Sequence, residues 1–289
     1  MALTDEIREY IARFGTPKTE ITGKHSVAIA GETHKPIFND AAEIRAAASV
    51  RLLLELLRDQ RYRYFGNESF LNAGAVRLGV RAYWRAATLP PPLDPADATR
   101  DLSAAQTEEI GRRAFVRRFQ PVLDFLRANP RYVLSIGSRS SGPIRHRRLA
   151  QHFFEEVADR RITPSIRGVL LLGAAHASAV PDADGATTRM LIEKGGYACV
   201  SVRIVTDFVS QQGLADDAVV PIKDAAQITT VDQVVQAGIR LTHLSAGIPV
   251  SVPTDQTLGN QASPFRRVAF AGSDRPVAEQ FEHVVLQRA

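Results

Sequence analysis

Two glutamates and two histidines stand where apolar runs of this chain stop. Glu32 and His34 lie in Gly31-Glu32-Thr33-His34, directly after Ser26-Val27-Ala28-Ile29-Ala30. Glu68 follows Tyr62-Arg63-Tyr64-Phe65-Gly66-Asn67, and His176 closes Gly173-Ala174-Ala175-His176 after Gly168-Val169-Leu170-Leu171-Leu172. Carboxylates beside imidazoles make a general acid-base set, in which the histidine takes a proton from water and the carboxylate orients it. The same four side chains, Glu32, His34, Glu68 and His176, are also a donor set for a divalent cation. Arg145, in Pro143-Ile144-Arg145-His146-Arg147-Arg148, adds a planar cation. It could neutralise two facing glutamates, or hold a substrate carboxylate or a developing oxyanion.

Each residue also has a plainer reading. Gly-Glu-x-His fits a polar loop, and Glu68 fits the first turn of a helix, where an acid suits the helix dipole. The basic cluster around Arg145 fits a wet helix terminus, and His146 is expected at the surface. His25 fits the start of a strand, His152 a helix face, and His283 the last strand. Cys199, in the apolar run Tyr197-Ala198-Cys199-Val200, reads as a buried core thiol.

Convergence requires strands that end together. His25 to Ala30, 62–66, Tyr132 to Ile136, 168–172 and 197–205 read as strands. Residues 3–14, 41–59, 69–85, 103–128, 145–160 and 186–195 have helical spacing. Strand and helix alternate, which predicts an α/β fold. Its mostly parallel central sheet carries helices on both faces, and a helical insertion lies near 70–128. In such a sheet ligands bind outside the carboxyl ends of the strands. Beyond Asp207 the pattern weakens to a short helix near 231–239, strands near 219–222 and 248–252, and a closing strand from Phe281 to Leu286. There is no internal repeat, so residues 1–289 read as one domain.

The chain has 289 residues, 45% hydrophobic and 23% charged, with net charge +5. This is ordinary for a globular protein. One cysteine rules out an internal disulfide and a cysteine zinc site. The N-terminal segment lacks the basic and apolar blocks of a signal peptide, and no run approaches a membrane span. A cytoplasmic protein is expected, with no membrane partner. The positive charge is mostly arginine, but no nucleic-acid-binding motif accompanies it, so nucleic acid is not an expected partner.

The ordered motifs Gly31-Glu32-Thr33-His34, Glu68, Arg145 with Arg148-Leu149-Ala150, and Gly173-Ala174-Ala175-His176 resemble those of the erythromycin esterase/ChaN-like superfamily, which includes Tiki and TraB proteins. The closing Phe281-Glu282-His283-Val284-Val285 resembles that family's last strand. The resemblance implies one pocket holding Glu32, His34, Glu68, Arg145 and His176. It departs in two places. The spacing here is Glu-x-His, as in ChaN-like members, where the esterases have Glu-x-x-His. His146 also stands where an aspartate is usual. The function expected is hydrolysis of an ester or amide bond of a small-molecule or peptide substrate. His34 would activate water, His176 would serve as a second base or as the acid, and Arg145 would stabilise the oxyanion. No Gly-x-Ser-x-Gly elbow supplies a covalent nucleophile. Two alternatives stay open: a metal-dependent hydrolase or peptidase using the same residues, and a haem or tetrapyrrole-binding protein without catalysis. The cofactor is accordingly left open between none, a divalent metal and, in the last reading, haem, and the oligomeric state is left open too.

Overall fold

Among the described residues, seven strands form one sheet with helical layers against both faces. The computed structural model describes residues 3–16, 24–32, 52–71, 132–138, 142–207, 250–267 and 275–288, together with 21, 121–122, 124–125, 128–129 and 140. His34, most of the expected insertion near 70–128, and the elements expected near 219–222 and 231–239 lie outside the described residues.

The strands are β1 (Val27–Glu32), β2 (Tyr62–Leu71), β3 (Tyr132–Gly137), β4 (Arg167–Gly173), β5 (Cys199–Asp207) and β6 (Val250–Pro253), then a small hairpin of β7 (Thr257–Leu258) and β8 (Gln261–Ala262), and finally β9 (His283–Arg288). Their order in the large sheet is β3-β2-β4-β1-β5-β9-β6, parallel throughout except for β6 against β9. β4 sits inside the sheet with both faces covered, which is why its sequence is continuously apolar rather than alternating. Leu170 and Leu172 enter one hydrophobic cluster, and Val169 and Leu171 the other.

The first cluster is covered by α1 (Leu3–Phe14), α3 (Gly142–Asp159), α4 (Ala174–Ala177), α5 (Thr188–Lys194) and α6 (Val277–Gln280). The second is covered by helix α2, described over 52–58, through Leu52, Leu53, Leu56 and Leu57. Helix α1 spans the range its periodicity predicts and is anchored at Tyr10. The Tyr10 hydroxyl donates to the Pro253 carbonyl at 3.0 Å and accepts from the Gln256 N–H at 2.9 Å.

Two strands run further than their sequences predict, and both extensions carry a candidate residue. β1 keeps Glu32, which pairs in register with Gly173. β2 continues through Glu68 to Leu71, where Ser69 onward was expected to be helical. Its ladder with β4 ends at Asn67↔Leu171, but its ladder with β3 continues, after a register shift, to Leu71↔Gly137. The neighbour on one side thus holds the chain extended after the other has stopped.

Glycine is required where layers approach closely. A Cβ on Gly168 would lie 2.0 Å from the Tyr64 ring, which is packed across the glycine from the neighbouring strand. A Cβ on Gly31 would come within 3.1 Å of Ala177, so its absence lets α4 rest on β1.

His283 is buried in the sheet between β5 and β6, paired with Val202 and Pro253. Burial pushes its imidazole below the usual 6.5; Glu282 acts in the opposite sense and His25 adds to the lowering. The unfolded chain therefore takes up this proton near pH 6.5, while the folded chain takes it up only at lower pH. His283 makes folding less favourable as pH falls through the window below 6.5. Thermal unfolding from pH 7.5 to 5 should show a Tm that falls with acid, and His283→Gln should flatten that fall. An unchanged slope in the variant would remove His283 from the acid response.

Candidate active site

Glu68 is the centre of the described site. It is the first residue of β2 beyond the ladder with β4, and it is 4% exposed. Its Oε2 accepts the Gly173 backbone N–H at 2.8 Å. Gly173 is the last residue of β4 and precedes the first turn of α4, so this carboxylate closes over the point where strand becomes helix. Its Oε1 meets Arg145 Nη2 at 3.3 Å.

Arg145 comes from the first turn of α3. Pro143 suits that turn because its missing N–H would have no helical partner there. Ser140 N–H donates to Ser138 Oγ at 3.1 Å, which fixes the loop after β3. Arg145 Nη1 donates back to the Ser140 carbonyl at 3.3 Å. The guanidinium thus spans from loop to carboxylate and remains partly open to solvent, with 29% side-chain exposure.

His176 is carried by α4. Its Nε2 lies 3.8 Å from Glu68 Oε2, and its Nδ1 lies 3.0 Å from Nδ1 of His146. The two imidazoles meet edge to face, with ring centroids 4.5 Å apart at 79°. His146 Nδ1 also receives the Thr188 backbone N–H at 3.1 Å, while its Nε2 faces Asp182 Oδ2 at 3.0 Å. Asp182 is itself locked in a turn. Its Oδ1 accepts the Asp184 N–H at 2.9 Å, and Gly185 closes the turn at φ +100°, a conformation that favours glycine.

The structure therefore brings Glu68, Arg145 and His176 together. Glu32 is buried at the adjacent strand end, beside Gly173 on the other edge of β4. The pleat groups it with Ala28 and Ala30, which face the second hydrophobic cluster, whereas Glu68 meets α3 and α4 on the opposite face. His34 lies outside the described residues. His146, expected at the surface, is 2% exposed and belongs to the apolar stripe of α3. Its spacing held the signal: His146, Leu149, Ala150, Phe153 and Val157 recur at helical intervals, and only the flanking arginines disguise it. Asp182 and Thr188 carried no such signal, because their contact with His146 crosses thirty-six and forty-two positions of sequence.

Among the described residues, ligand atoms of His146, Asp182 and Asp184 lie within 4.8 Å of one another. This grouping differs from the donor set expected from the sequence. Asp184 is exposed, and the His146–Asp182 pair is already a direct hydrogen-bonding contact. Cys199 is half-buried, and burial pushes its thiol well above the ordinary range, which leaves it inert as a nucleophile. Among the described residues, no helix is long and apolar enough to cross a membrane.

No family model matches the chain, and no curated protein does. Among solved structures, a mutant of the erythromycin esterase EreC in its open conformation matches with 14% identity and a TM-score of 0.39, over 91% of this chain and 90% of that one. An identity and superposition this low carry nothing about the activity of this chain.

Proposed function

We propose that this protein hydrolyses an ester or amide bond of a small-molecule or peptide substrate by activating water, using Glu68, Arg145 and His176 on one face of the strand ends together with Glu32 and His34, which the sequence places at and just after the end of strand β1. One observation carries the reading. A buried carboxylate, held by Arg145 and the Gly173 N–H, stands 3.8 Å from an imidazole nitrogen at the carboxyl end of a parallel sheet. That is where such sheets bind ligands. In this reading His34 or His176 removes a proton from water, and hydroxide adds to the substrate carbonyl. The carbonyl electron pair moves to oxygen, where Arg145 offsets the charge. The electron pair then returns to reform the carbonyl, the bond to the leaving oxygen or nitrogen breaks, and the protonated histidine gives its proton to that atom.

The test is a panel of chromogenic esters and amides, assayed with and without chelator. Hydrolysis that survives the chelator and is lost in Glu68→Ala supports the reading. Activity lost with chelator and restored by Mn²⁺, Co²⁺ or Zn²⁺ would assign water activation to a metal instead.

Arg145 offers a second check. Removing its charge withdraws a cation from beside Glu68, which disfavours an ionised carboxylate. The acid limb of the pH–rate profile should move to higher pH in Arg145→Met. Arg145→Lys should keep the limb in place but lose much of the rate, because an ammonium cannot span both Ser140 and Glu68. A limb and rate unchanged in Arg145→Met would make this a surface arginine.

A further inference from the structure

We infer that Asp182, His146 and Thr188 act as positioning residues that hold His176 in a single tautomer, with Nδ1 protonated and Nε2 as the working nitrogen. The argument starts at a group that cannot be reversed. The Thr188 backbone N–H points at Nδ1 of His146 from 3.1 Å, and a backbone N–H only donates. Nδ1 of His146 must therefore present its lone pair, and the ring is the neutral form protonated at Nε2. That proton faces the carboxylate Oδ2 of Asp182 at 3.0 Å, as an acceptor requires.

The consequence passes to the next ring. His176 Nδ1 lies 3.0 Å from this same nitrogen, which Thr188 Oγ1 also approaches at 3.3 Å. In a His176–His146 hydrogen bond that shares the His146 lone pair with the Thr188 N–H, His176 Nδ1 is the donor. With its proton at Nδ1, neutral His176 carries its lone pair at Nε2, the nitrogen 3.8 Å from Glu68 Oε2. The order is carboxylate, imidazole, imidazole, then the Glu68 carboxylate. When Nε2 takes a proton from water, the new positive charge on His176 lies one ring away from Asp182. No proton need leave Nδ1.

The anchors of this chain are rigid. Thr188 begins α5, where first-turn N–H groups have no helical acceptor. Its neighbour Thr187 caps that helix by accepting the Met190 N–H at 3.2 Å, and donates its own hydroxyl to the Ser178 carbonyl at 2.6 Å. Asp182 is held by its own turn, as described above. Thr188 and Asp182 are thus each held by local backbone hydrogen bonds, and the relay uses a histidine where the resemblance would place an aspartate.

The catalytic role rests on the hydrolase reading; the tautomers do not, and they can be measured without a substrate. Long-range proton–nitrogen correlation spectra of the full chain, labelled in its histidine rings, read each nitrogen directly. We expect neutral His146 protonated at Nε2 and neutral His176 at Nδ1. His146→Asn keeps a carbonyl acceptor near the Nδ1 position and should preserve the His176 tautomer. His146→Leu removes the acceptor and should move the His176 proton to Nε2 or to a mixture. If a substrate is known, Asp182→Asn should lower kcat roughly 10-fold, the scale typical of an outer-shell partner, with KM unchanged.

A His176 protonated at Nε2 in the wild type overturns the inference. So does a His176 tautomer that is the same in the leucine and wild-type proteins, with circular dichroism showing both folded. Loss of the His146 Nε2 proton on adding one equivalent of Zn²⁺ also overturns it, in favour of a cation between His146 and Asp182. The expected tautomers without any ester or amide hydrolysis would leave the relay standing and the hydrolase reading fallen. Hydrolysis with the opposite tautomer would do the reverse.

Discussion

Replacing Glu68 by alanine is expected to lower hydrolytic turnover by about 10²-fold or more, the usual contribution of a positioned acid-base group. Three contacts converge on this carboxylate: from Gly173 at the end of β4, from Arg145 on α3, and from His176 on α4. The substitution also strips the buried Gly173 N–H of its acceptor, at a cost of about 1–3 kcal/mol. Stability and catalysis must therefore be separated. Glu68→Gln keeps a carbonyl oxygen for Gly173 and removes only the charge. It should recover most of the Tm lost in alanine and little of the rate. Wild-type turnover in Glu68→Gln, with an intact Tm, would take the carboxylate out of the mechanism. His34→Ala should lose turnover to a similar degree.

Gly168→Ala should destabilise the fold by at least the ~1–3 kcal/mol typical of an overpacked core. The added methyl would sit 2.0 Å from the Tyr64 ring, which is fully buried against Phe153 and has no free direction in which to retreat. The effect should be pairwise. In Tyr64→Leu the ring is gone, so adding Gly168→Ala should cost far less than it does alone. Chemical denaturation of the two single variants and the double variant measures the coupling. Additive losses would mean that the glycine is required by the strand backbone and not by the ring.

The parts of the fold that the sequence revealed are those where one physical signal dominates. Helix α1 shows its apolar stripe of Ile7, Tyr10, Ile11 and Phe14 without interference, and its bounds match. β4 is legible because burial on both faces leaves no polar position in its centre. The ends of β1 and β2 were misjudged because glycine and polar residues resemble loops, whereas register with the neighbouring strand decides where pairing stops. Glu68, Arg145 and His176 could be named because polar groups at strand ends and a helix start are conspicuous against apolar runs. His146 was sent to the surface by its company: Arg147 and Arg148 are exposed, and a run of cations hides one inward-facing position. Asp182 could not be found at all, since a carboxylate in an Asp-Ala-Asp-Gly turn looks the same whether or not a distant ring meets it.

The strand order has a consequence for how the chain is made. β1 pairs only with β4 and β5 among the described strands, and neither exists until residues 167–207 have been synthesised. Until then Val27, Ala28, Ile29 and Ala30 form a short apolar segment with both edges unpaired, the kind of template that recruits other strands. β2 and β3 can pair early, but the slot between β2 and β1 stays open until β4 inserts and completes both ladders at once. That insertion also delivers Gly173 and His176 to Glu68. Nascent chains ending before residue 167 should therefore depend on chaperones, and strand β4 marks the point in translation at which the first ladder of β1, the second ladder of β2 and the Gly173 contact to Glu68 arrive together.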